Sequence, residues 1–318
     1  MKHPLLALGL LILACLIASP GSAAPPNPPQ VRLVAVGDVM LGRSIGERIT
    51  RNGADWPFAS VATTLRGADL TIANLECVIA PPGTGSPARK AYTFRALPAA
   101  ADSLRRAGID WVSVGNNHAF DYGPAAFAAQ QQLLAGVGIK SAGGGVRDAA
   151  YAPLLQTVNG VRLAFLSYVM IEQERGGFVT QGWAAQPGRA GVAWATVAAV
   201  QAGVRAARQR ADVVIVALHA GAEGDPTPTA FQRTIAHTAI EAGAALVLGA
   251  HPHVLQPVES YRGGVIVYSL GNFVFDGFSD SPLSLRSAIF QATLTPAGVQ
   301  SWTLLPVQIV DGRPVPVR

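Results

Sequence analysis

Potential metal ligands stand at the ends of five short apolar runs in this chain. Their side chains are carboxylates, amides and imidazoles, the oxygen and nitrogen donors that divalent manganese, iron and zinc accept in proteins. The runs and their terminal residues are VRLVAVGD with Asp38, ADLTIANLE with Asn74 and Glu76, DWVSVGNNH with Asn117 and His118, DVVIVALH with His219, and ALVLGAHPH with His251 and His253. Four of the 6 histidines therefore belong to one pattern. We predict a site for one or two divalent ions; in a two-ion site, one carboxylate bridges ions about 3.5–4 Å apart.

Taken one at a time, several of these residues have other interpretations. His251 and His253 flank Pro252, and in an extended segment both imidazoles would project to the same side. A surface turn also explains the His-Pro-His sequence. Asp38 follows a glycine that lets the backbone turn sharply after the strand, but Gly-Asp is also typical of a helix N-cap or a turn. His219 is compatible with a satisfied core histidine. The joint pattern favours the metal site.

Asn117 and His118 are predicted to have different roles. An amide oxygen is a suitable ligand for a hard divalent ion, and an adjacent histidine on the opposite side of the strand end is free to transfer protons near neutral pH. An Asn-rich turn with an exposed histidine is the alternative. Glu76, which follows an apolar run, needs a cation or solvent, because burial of an unpaired carboxylate is costly.

The elements that carry these residues are predicted to form an α/β fold. Short β-rich apolar runs are typical of strands buried on both faces, and ligand sites gather at the carboxyl ends of such strands. Helices are predicted over 124–136, 193–210 and 229–241, so the central strands should pair in parallel through right-handed crossovers. From Val265 onward, apolar and polar residues alternate around a Pro-Ala-Gly turn, which predicts antiparallel strands and a second sheet packed on the first.

The N-terminus is typical of an exported protein. Residues 1–24 contain Lys2, a short apolar stretch and then small residues, the pattern of a secretory signal peptide. We expect a secreted or extracytoplasmic protein of the periplasm or cell envelope. An uncleaved membrane anchor and a lipoprotein box at Cys15 are the alternatives. Residues 25–30 are predicted to be a Pro-rich spacer, and residues 31–318 to form one domain.

Charge and cysteine content narrow the function classes. The formal net charge is +5 without a basic run, so nucleic acid is not an expected partner. A mildly basic surface favours anionic substrates. After the leader, Cys77 is the one cysteine in the sequence, and its apolar neighbours predict buried packing. Two Pro/Gly-rich segments, 81–89 and 172–191, are predicted to be long loops of the kind that cover a site.

In these segments the chain resembles the CapA family of bacterial poly-γ-glutamate capsule synthesis proteins, within the calcineurin-like metallophosphatase superfamily. The matching segments occur in family order and are GDVMLGR (37–43), ANLECVI (73–79), VGNNHAFDYG (114–123), HAGAE (219–223), GAHPHVLQPVE (249–259) and YSLGNFVFD (268–276). The resemblance implies a four-layer α-β-β-α sandwich of two mixed sheets flanked by helices.

The resemblance also implies roles for individual residues. The implied metal ligands are Asp38 and His253 for one ion, Asn117, His219 and His251 for the other, and Glu76 between them. His118 would be the acid or base beside the substrate, and Asp121 would support it. Arg43 and Asn116 would contact the substrate.

The sequence departs from the superfamily pattern at several positions. Met40 stands where the first motif usually has a histidine, so one usual ligand is absent. Ala220 and Gly224 replace a common tryptophan and tyrosine, which implies different substrate contacts. Glu76 replaces the usual bridging aspartate.

Two functional hypotheses follow. The first is an exported metal-dependent hydrolase of capsule biosynthesis that cleaves phosphoester or γ-glutamyl linkages, with His118 transferring a proton. The second is an assembly or export factor that binds the anionic polymer without cutting it and whose metal site is structural or vestigial. Under both hypotheses, the capsule synthesis machinery is an expected partner. Contact with the membrane is expected only if the N-terminal anchor is not cleaved. A structural envelope protein without metal is a third interpretation, which the clustered ligands disfavour.

Overall fold

Two mixed β-sheets pack face to face in this protein, and helices cover both outer surfaces. The computed structural model describes residues 28–174 and 176–317. The strands are β1 (Val31–Val39), β2 (Leu70–Leu75), β3 (Val78–Ile79), β4 (Arg95–Ala96), β5 (Trp111–Ser113), β6 (Lys140–Ala142), β7 (Gly144–Gly145), β8 (Leu154–Val158), β9 (Val161–Met170), β10 (Gly191–Val192), β11 (Val213–Ala220), β12 (Leu246–Ala250), β13 (Val258–Tyr261), β14 (Gly264–Val267), β15 (Asn272–Val274), β16 (Arg286–Thr295), β17 (Gly298–Val310) and β18 (Arg313–Pro316). The helices are α1 (Arg43–Asn52), α2 (Ala62–Arg66), α3 (Ala99–Ala107), α4 (Gly123–Gly136), α5 (Arg147–Tyr151), α6 (Val197–Arg208) and α7 (Ala230–Ala242), with 3-10 turns at Trp56–Phe58 and Thr180–Trp183.

The first sheet is built around the strand β1. Its order is β18-β17-β16-β1-β2-β5-β6, and β15 also pairs with β1. Strands β1, β2, β5 and β6 are parallel, whereas β16, β17 and β18 continue the sheet in antiparallel pairing. The carboxyl ends of the parallel strands therefore meet at one edge.

The second sheet comes from the middle of the chain. Its order is β13-β14-β12-β11-β9-β8, in which β9, β11, β12 and β14 are parallel and the two outer strands are antiparallel. Helix α6 connects β9 to β11 and helix α7 connects β11 to β12. The predicted parallel pairing of the central strands is confirmed in both sheets.

The layer between the sheets is apolar. Leu33 and Ile72 of the first sheet belong to one buried cluster with Phe165 and Ile215 of the second. Trp111 stacks on Phe165 with ring centroids 5.6 Å apart. Strands β2 and β11 are buried along their whole length. Burial on both faces explains why these segments appear as unbroken apolar runs instead of alternating patterns.

Helices form the two outer layers. Ile45 of α1, Leu104 of α3 and Phe127 of α4 pack in the cluster outside the first sheet. Val204 of α6 and Ile235 of α7 pack in the cluster outside the second. The four-layer α-β-β-α order is therefore confirmed.

The predicted helices differ from the observed ones mainly at their N-termini. The sequence predicts a helix over 193–210, but α6 begins at Val197 because the side chain of Thr196 caps it. Thr229 likewise caps α7 in a capping box with Gln232. Helix α4 agrees with the predicted span.

Of the C-terminal strands, β14 belongs to the second sheet, but β16, β17 and β18 belong to the first, contrary to the prediction. Strand β16 pairs with β1, where Val34 is opposite Gln291, and β17 pairs with β16, so they extend the first sheet. The reason is a crossover after β14. Strand β14 pairs with β12 in the second sheet, whereas β15 pairs with β1, so the chain passes between the sheets at 268–271.

The predicted signal peptide at 1–24 and half of the predicted spacer at 25–30 lie outside the described residues. Residues 28–30 are exposed and precede β1 without regular structure. Within the described part of the chain, no helix has both the length and the apolar character that crossing a bilayer requires.

Candidate metal centre

The candidate ligands lie where the carboxyl ends of both sheets meet. The first sheet supplies oxygen donors and the second sheet supplies imidazoles. The oxygen donors are Asp38 in β1, Glu76 after β2 and Asn117 after β5, and the imidazoles are His219 in β11 and His251 and His253 after β12. All of these side chains are at most 5% exposed. The structure thus brings together every residue that the sequence predicts as a ligand, at an edge shared by two sheets.

Asp38, Glu76 and His253 form a first ligand group, whose donor atoms all lie within 4.8 Å of one another. His253 Nδ1 is 3.2 Å from Asp38 Oδ2, and His253 Nε2 is 3.5 Å from Glu76 Oε1. Asn272 Oδ1 lies 2.9 Å from the same Nδ1. Asp38 and Asn272 therefore lie beside Nδ1 of His253, whereas Glu76 lies beside Nε2.

Glu76, His219 and His251 form a second ligand group with the same spacing. Asn117 Oδ1 lies 2.8 Å from His219 Nε2, which places the amide oxygen beside this group. Glu76 belongs to both groups, the position that a bridging carboxylate requires.

Burial and neighbouring charges shift the pKa values of these donors. Burial, and then the neighbouring Asp38, raises the pKa of Glu76 well above its usual range. Burial lowers the pKa of His219 well below its usual range and that of His251 to about 3, so both imidazoles are neutral, the form that binds metal. Burial opposes ionisation of Asp38, but hydrogen bonding and charge interaction with His253 outweigh it and lower the pKa of Asp38.

Two buried atoms of the centre support a cation between the groups. Glu76 Oε1 and His251 Nδ1 have no hydrogen-bond partner within residues 28–174 and 176–317. Leaving a buried polar atom unsatisfied costs about 1–3 kcal/mol, and a bound cation would remove that cost. Carboxylate, amide and neutral imidazole together are a donor set for a divalent ion. The centre can therefore hold a metal.

The His251-Pro252-His253 segment is not extended, contrary to the prediction. The φ angles of His251 and His253 are 97° and 57°, in the left-handed region that favours glycine. The bend is held by contacts on both sides: Gly224 N donates to Pro252 O at 2.8 Å, and His251 N lies 3.4 Å from Asp38 Oδ2. Backbone strain of this kind costs about 1–3 kcal/mol and concentrates at functional sites.

Gly37 also acts differently from the prediction of a sharp turn. Strand β1 continues through it to Val39. At Gly37 the backbone passes so close to Gly271 that a Cβ would lie 1.9 Å from the Gly271 carbonyl oxygen. Asp38 N donates to that same oxygen at 3.0 Å. The glycine therefore permits a close backbone crossing that positions Asp38.

His118 lies beside the ligand groups and is held on two sides. Its Nδ1 is 2.7 Å from Asp121 Oδ2, and its ring stacks on Phe94 with centroids 4.0 Å apart. Burial, and then the charge of Lys90, lowers the pKa of His118 well below its usual range. A neutral ring that donates Nδ1–H to Asp121 leaves Nε2 as a proton acceptor, 3.9 Å from Glu76 Oε1.

Lys90 is a site residue that the sequence prediction missed. Its side chain is fully buried, and Nζ lies 2.8 Å from Asp121 Oδ1 and 2.9 Å from Glu174 Oε2. Nζ also donates to Asn117 O at 2.7 Å. Burial raises the pKa of Asp121 to about 7, and the charge of Lys90 acts against that rise. Lys90 thus joins both long loops to the segment that carries Asn117 and His118.

Arg43 faces an open cleft above His118 and His253. The cleft has a volume of about 290 Å³, and Phe94 and Phe275 contribute to its walls. The Arg43 guanidinium lies 4.6 Å from the centre of the Phe94 ring, a cation–π contact. The predicted substrate contact at Arg43 is therefore sterically open, although the guanidinium is also ion-paired with Asp276.

Asn116 has a different position from the one predicted. Its side chain is fully buried; Nδ2 donates to Leu75 O at 2.8 Å and Oδ1 accepts from His118 N at 3.0 Å. Because both polar atoms are used inside the protein, Asn116 holds the loop of His118 and does not face the cleft. A strand-end asparagine in a Gly-Asn-Asn-His segment offers no signal that separates these two roles.

A second asparagine, Asn74, connects the two sheets behind the ligands. Its Nδ2 donates to Asp38 Oδ1 at 2.8 Å and lies 3.2 Å from His219 Nδ1. The sequence pattern presents Asn74 as a potential metal ligand at a strand end, whereas in the structure its amide nitrogen contacts two other candidate ligands. Its contacts identify a residue that orients one ligand from each sheet.

Two sulfur-containing side chains lie next to the centre without joining it. Met40 is fully buried, and its Sδ accepts from Gly42 N at 3.1 Å, so position 40 contributes no ligand. Cys77 is buried as predicted, and burial raises the pKa of its thiol to about 12. Leu41 N donates to its Sγ at 3.5 Å.

Solved structures with low sequence identity share this fold. A hypothetical protein from Thermus thermophilus has a TM-score of 0.55 and 18% identity, covering 87% of this chain and 99% of its own. A phosphatase from Mycoplasma pneumoniae has a TM-score of 0.55 and 12% identity, covering 88% of this chain and 94% of its own. These similarities show that both proteins share the overall fold of this chain.

Sequence relatives identify the family. The model of the bacterial capsule synthesis protein PGA_cap matches residues 32–277. The PGA biosynthesis protein CapA of Bacillus subtilis is 32% identical over 291 residues, 89% of this chain and 73% of that protein. The capsule biosynthesis protein CapA of Bacillus anthracis is 30% identical over 328 residues, 99% of this chain and 76% of that protein. The chain therefore belongs to the PGA_cap family of bacterial capsule synthesis proteins.

Proposed function

We propose that this protein is an exported, metal-dependent hydrolase of capsule biosynthesis that acts on an anionic polymer or a phosphoester. The observation that carries the proposal is the pair of ligand groups that share Glu76. The Nε2 atom of His118 lies 3.9 Å from Glu76 Oε1. The names of the two Bacillus relatives supply the biological setting, capsule and PGA biosynthesis. The leader at 1–24 supports export.

The residues divide into those that hold a cation and those that handle substrate. Asp38, Glu76 and His253 would hold one divalent ion. Glu76 would hold a second ion together with Asn117, His219 and His251. A bound divalent ion supplies positive charge that stabilises developing negative charge and makes nearby water more acidic. His118 moves a proton at Nε2, while Asp121 fixes its ring through Nδ1.

The cleft above the centre favours a substrate with an anionic group and an extended body. Arg43 offers a guanidinium that can pair with a phosphate or a carboxylate. Phe94, Phe275 and Phe278 offer apolar walls that exclude water from the reacting bond. Poly-γ-glutamate and aryl phosphodiesters both satisfy these requirements, with a carboxylate or a phosphate placed against Arg43.

A second candidate is a non-catalytic factor that binds nascent polymer during assembly or export. The observation that favours it is Met40, which is buried with its Sδ directed to Gly42 N, so the first ligand group has three side chains without a contribution from position 40. In that case the cation would be structural, and polymer binding would persist without turnover.

Hydrolysis by purified protein separates the two candidates. The protein loaded with Mn²⁺ is incubated with bis(p-nitrophenyl) phosphate and with a γ-glutamyl polymer, with and without a chelator. His253→Ala removes a ligand of the first group, and His237→Ala is the matched control, because His237 pairs with Glu259 outside the centre. We expect chelation and His253→Ala to abolish turnover and His237→Ala to preserve it.

Two outcomes would contradict or replace the hydrolase proposal. Turnover that survives both chelation and His253→Ala would exclude the hydrolase mechanism. Polymer binding without turnover would favour the assembly factor.

A further inference from the structure

Glu223 stands at the solvent side of the metal centre. It lies in the loop after β11, and its carboxylate and the ring nitrogens of His251 and His253 all lie within 4.8 Å of one another. The two imidazoles are 4% and 5% exposed, whereas Glu223 is exposed. We call Glu223, His251 and His253 the outer ligand group.

The loop of Glu223 is tied to the segment that carries both histidines. Gly224 N donates to Pro252 O at 2.8 Å, so the residue after Glu223 is bonded to the residue between the two imidazoles. Gln256 Nε2 donates to Asp225 O at 2.9 Å and holds the same loop from the other side. The approach of the Glu223 carboxylate to the histidines is therefore built into the backbone.

One imidazole nitrogen of the outer ligand group is available to bind a cation. His251 Nδ1 is buried and has no hydrogen-bond partner in the described part of the chain. Glu223 lines both the cleft of about 290 Å³ and a wider cleft of about 690 Å³ that reaches His251. The charge of Glu223 also reaches the centre, since it adds to the effects of burial and Asp38 that raise the pKa of Glu76. A cation could enter from either cleft.

We infer that Glu223 is a further ligand for a divalent cation, held together with His251 and His253 at the outer edge of the centre. Two imidazoles and one carboxylate are a donor set for manganese, iron or zinc that leaves coordination positions open. This inference rests on the proposed function only in taking the centre to be metal-loaded. It extends the ligand set to a residue that neither sheet carries.

Titration of metal-free protein with Mn²⁺ by calorimetry tests the inference without measuring turnover. Glu223→Gln keeps the size of the side chain and removes its charge. Glu172→Gln is the matched control, because Glu172 lines the same wide cleft but lies outside the ligand groups. We expect Glu223→Gln to bind Mn²⁺ about 10–100-fold more weakly or with one site fewer, the range seen when groups around a metal are removed. Glu223→Asp should restore part of the affinity, and Glu172→Gln should leave it unchanged.

The outcomes separate this inference from the proposed function. Equal Mn²⁺ affinity and stoichiometry in the unsubstituted protein and in Glu223→Gln would overturn the role of Glu223 alone. An equal loss in Glu172→Gln would also overturn it, because a general change in cleft charge would then explain the effect. Absence of Mn²⁺ and Zn²⁺ binding by the unsubstituted protein would overturn both the inference and the proposed function. Selective loss in Glu223→Gln supports the inference even where no substrate is turned over.

Discussion

The imidazole of His118 is held in one orientation by an aromatic ring and a carboxylate. The Phe94 ring stacks on its face with ring centroids 4.0 Å apart, and Asp121 Oδ2 accepts a hydrogen bond from Nδ1 at 2.7 Å. Phe94 N donates to the same carboxylate oxygen at 2.6 Å, so the ring and its partner are fixed by one residue. A histidine positioned in this way can transfer a proton without first reorienting.

Replacement of this imidazole separates proton transfer from metal binding. Under the hydrolase proposal, we expect His118→Gln to lower kcat by a factor of about 10²–10⁴, because a general acid or base contributes an effect of that size. Metal content should be retained, because His118 belongs to neither ligand group. Steady-state kinetics with an aryl phosphodiester and elemental analysis of the same sample measure both quantities. Unchanged kcat would remove His118 from the reaction.

At the scale of the secondary-structure elements, close packing of the backbone at the strand ends positions the ligands. Strand β1 crosses Gly271 at Gly37, one residue before Asp38, and no side chain fits between the two. The crossing places Asp38 opposite Asn272, which in turn contacts His253. The position of the carboxylate thus depends on contact between two strands that are far apart in the chain.

Adding one methyl group at this crossing should disturb the centre. Gly37→Ala forces the strands apart, and we expect a loss of about 1–3 kcal/mol in the free energy of unfolding, with weaker metal binding. Gly136→Ala is the control, since no atom lies within 4 Å of its added Cβ, and it should be neutral or stabilising by about 0.5–1 kcal/mol. Urea unfolding and metal titration of both variants provide the comparison. Equal behaviour of the two variants would contradict the role of the crossing.

Lys90 connects the two long loops to the centre. Its ammonium contacts Asp121, Glu174 and the backbone of Asn117, and burial raises the pKa of Glu174. Two carboxylates and one ammonium removed from water depend on one another, because each charge compensates its neighbours.

Removal of the Lys90 charge should therefore destabilise the protein strongly. We expect Lys90→Met to lower the free energy of unfolding by about 3–5 kcal/mol, the cost of leaving buried charges uncompensated. Lys140→Met, at an exposed lysine that contacts Gln156, should change it by less than about 0.5 kcal/mol. Denaturant unfolding of both variants measures the difference. A small loss in Lys90→Met would show that the carboxylates are protonated or solvated without it.

The parts of the site that the sequence predicts are those set by local burial. A strand buried on both faces is an unbroken apolar run, so the polar residue that interrupts it, such as Asp38 or His219, marks the sheet edge. Contacts between distant segments carry no such signal. Lys90 looks like a surface cation in a Pro/Gly-rich loop, and its burial depends on Glu174, 84 residues later. The bend at His251 depends in the same way on a hydrogen bond from Gly224 to Pro252.

At the scale of the whole molecule, the centre lies between two sheets that pack through an apolar layer. Oxygen ligands such as Asp38 come from the first sheet, and imidazoles such as His219 come from the second. The sequence predicts the convergence of these residues but not their division between sheets, because both sheets consist of similar apolar runs. A cation bound between them links the two halves of the fold.

This arrangement predicts that metal stabilises the entire protein. With free Mn²⁺ at 100 times its Kd, the free energy of unfolding should rise by about 2.7 kcal/mol, since the unfolded chain lacks the assembled site. His219→Ala should show little of this stabilisation, because the ligand from the second sheet is lost. Thermal unfolding with added Mn²⁺ and with a chelator measures the effect. A Tm that is independent of metal in the unsubstituted protein would contradict the linkage.

The central claim, that ligands from both sheets hold a divalent cation, is tested most directly by elemental analysis of the purified protein. We expect at least one tightly bound manganese, iron or zinc ion per chain, retained in His237→Ala and lost or reduced in both Asp38→Asn and His253→Ala, provided that circular dichroism shows both variants to be folded. Folded protein that contains no metal and takes up none on reconstitution, or full metal content in both ligand variants, would contradict it.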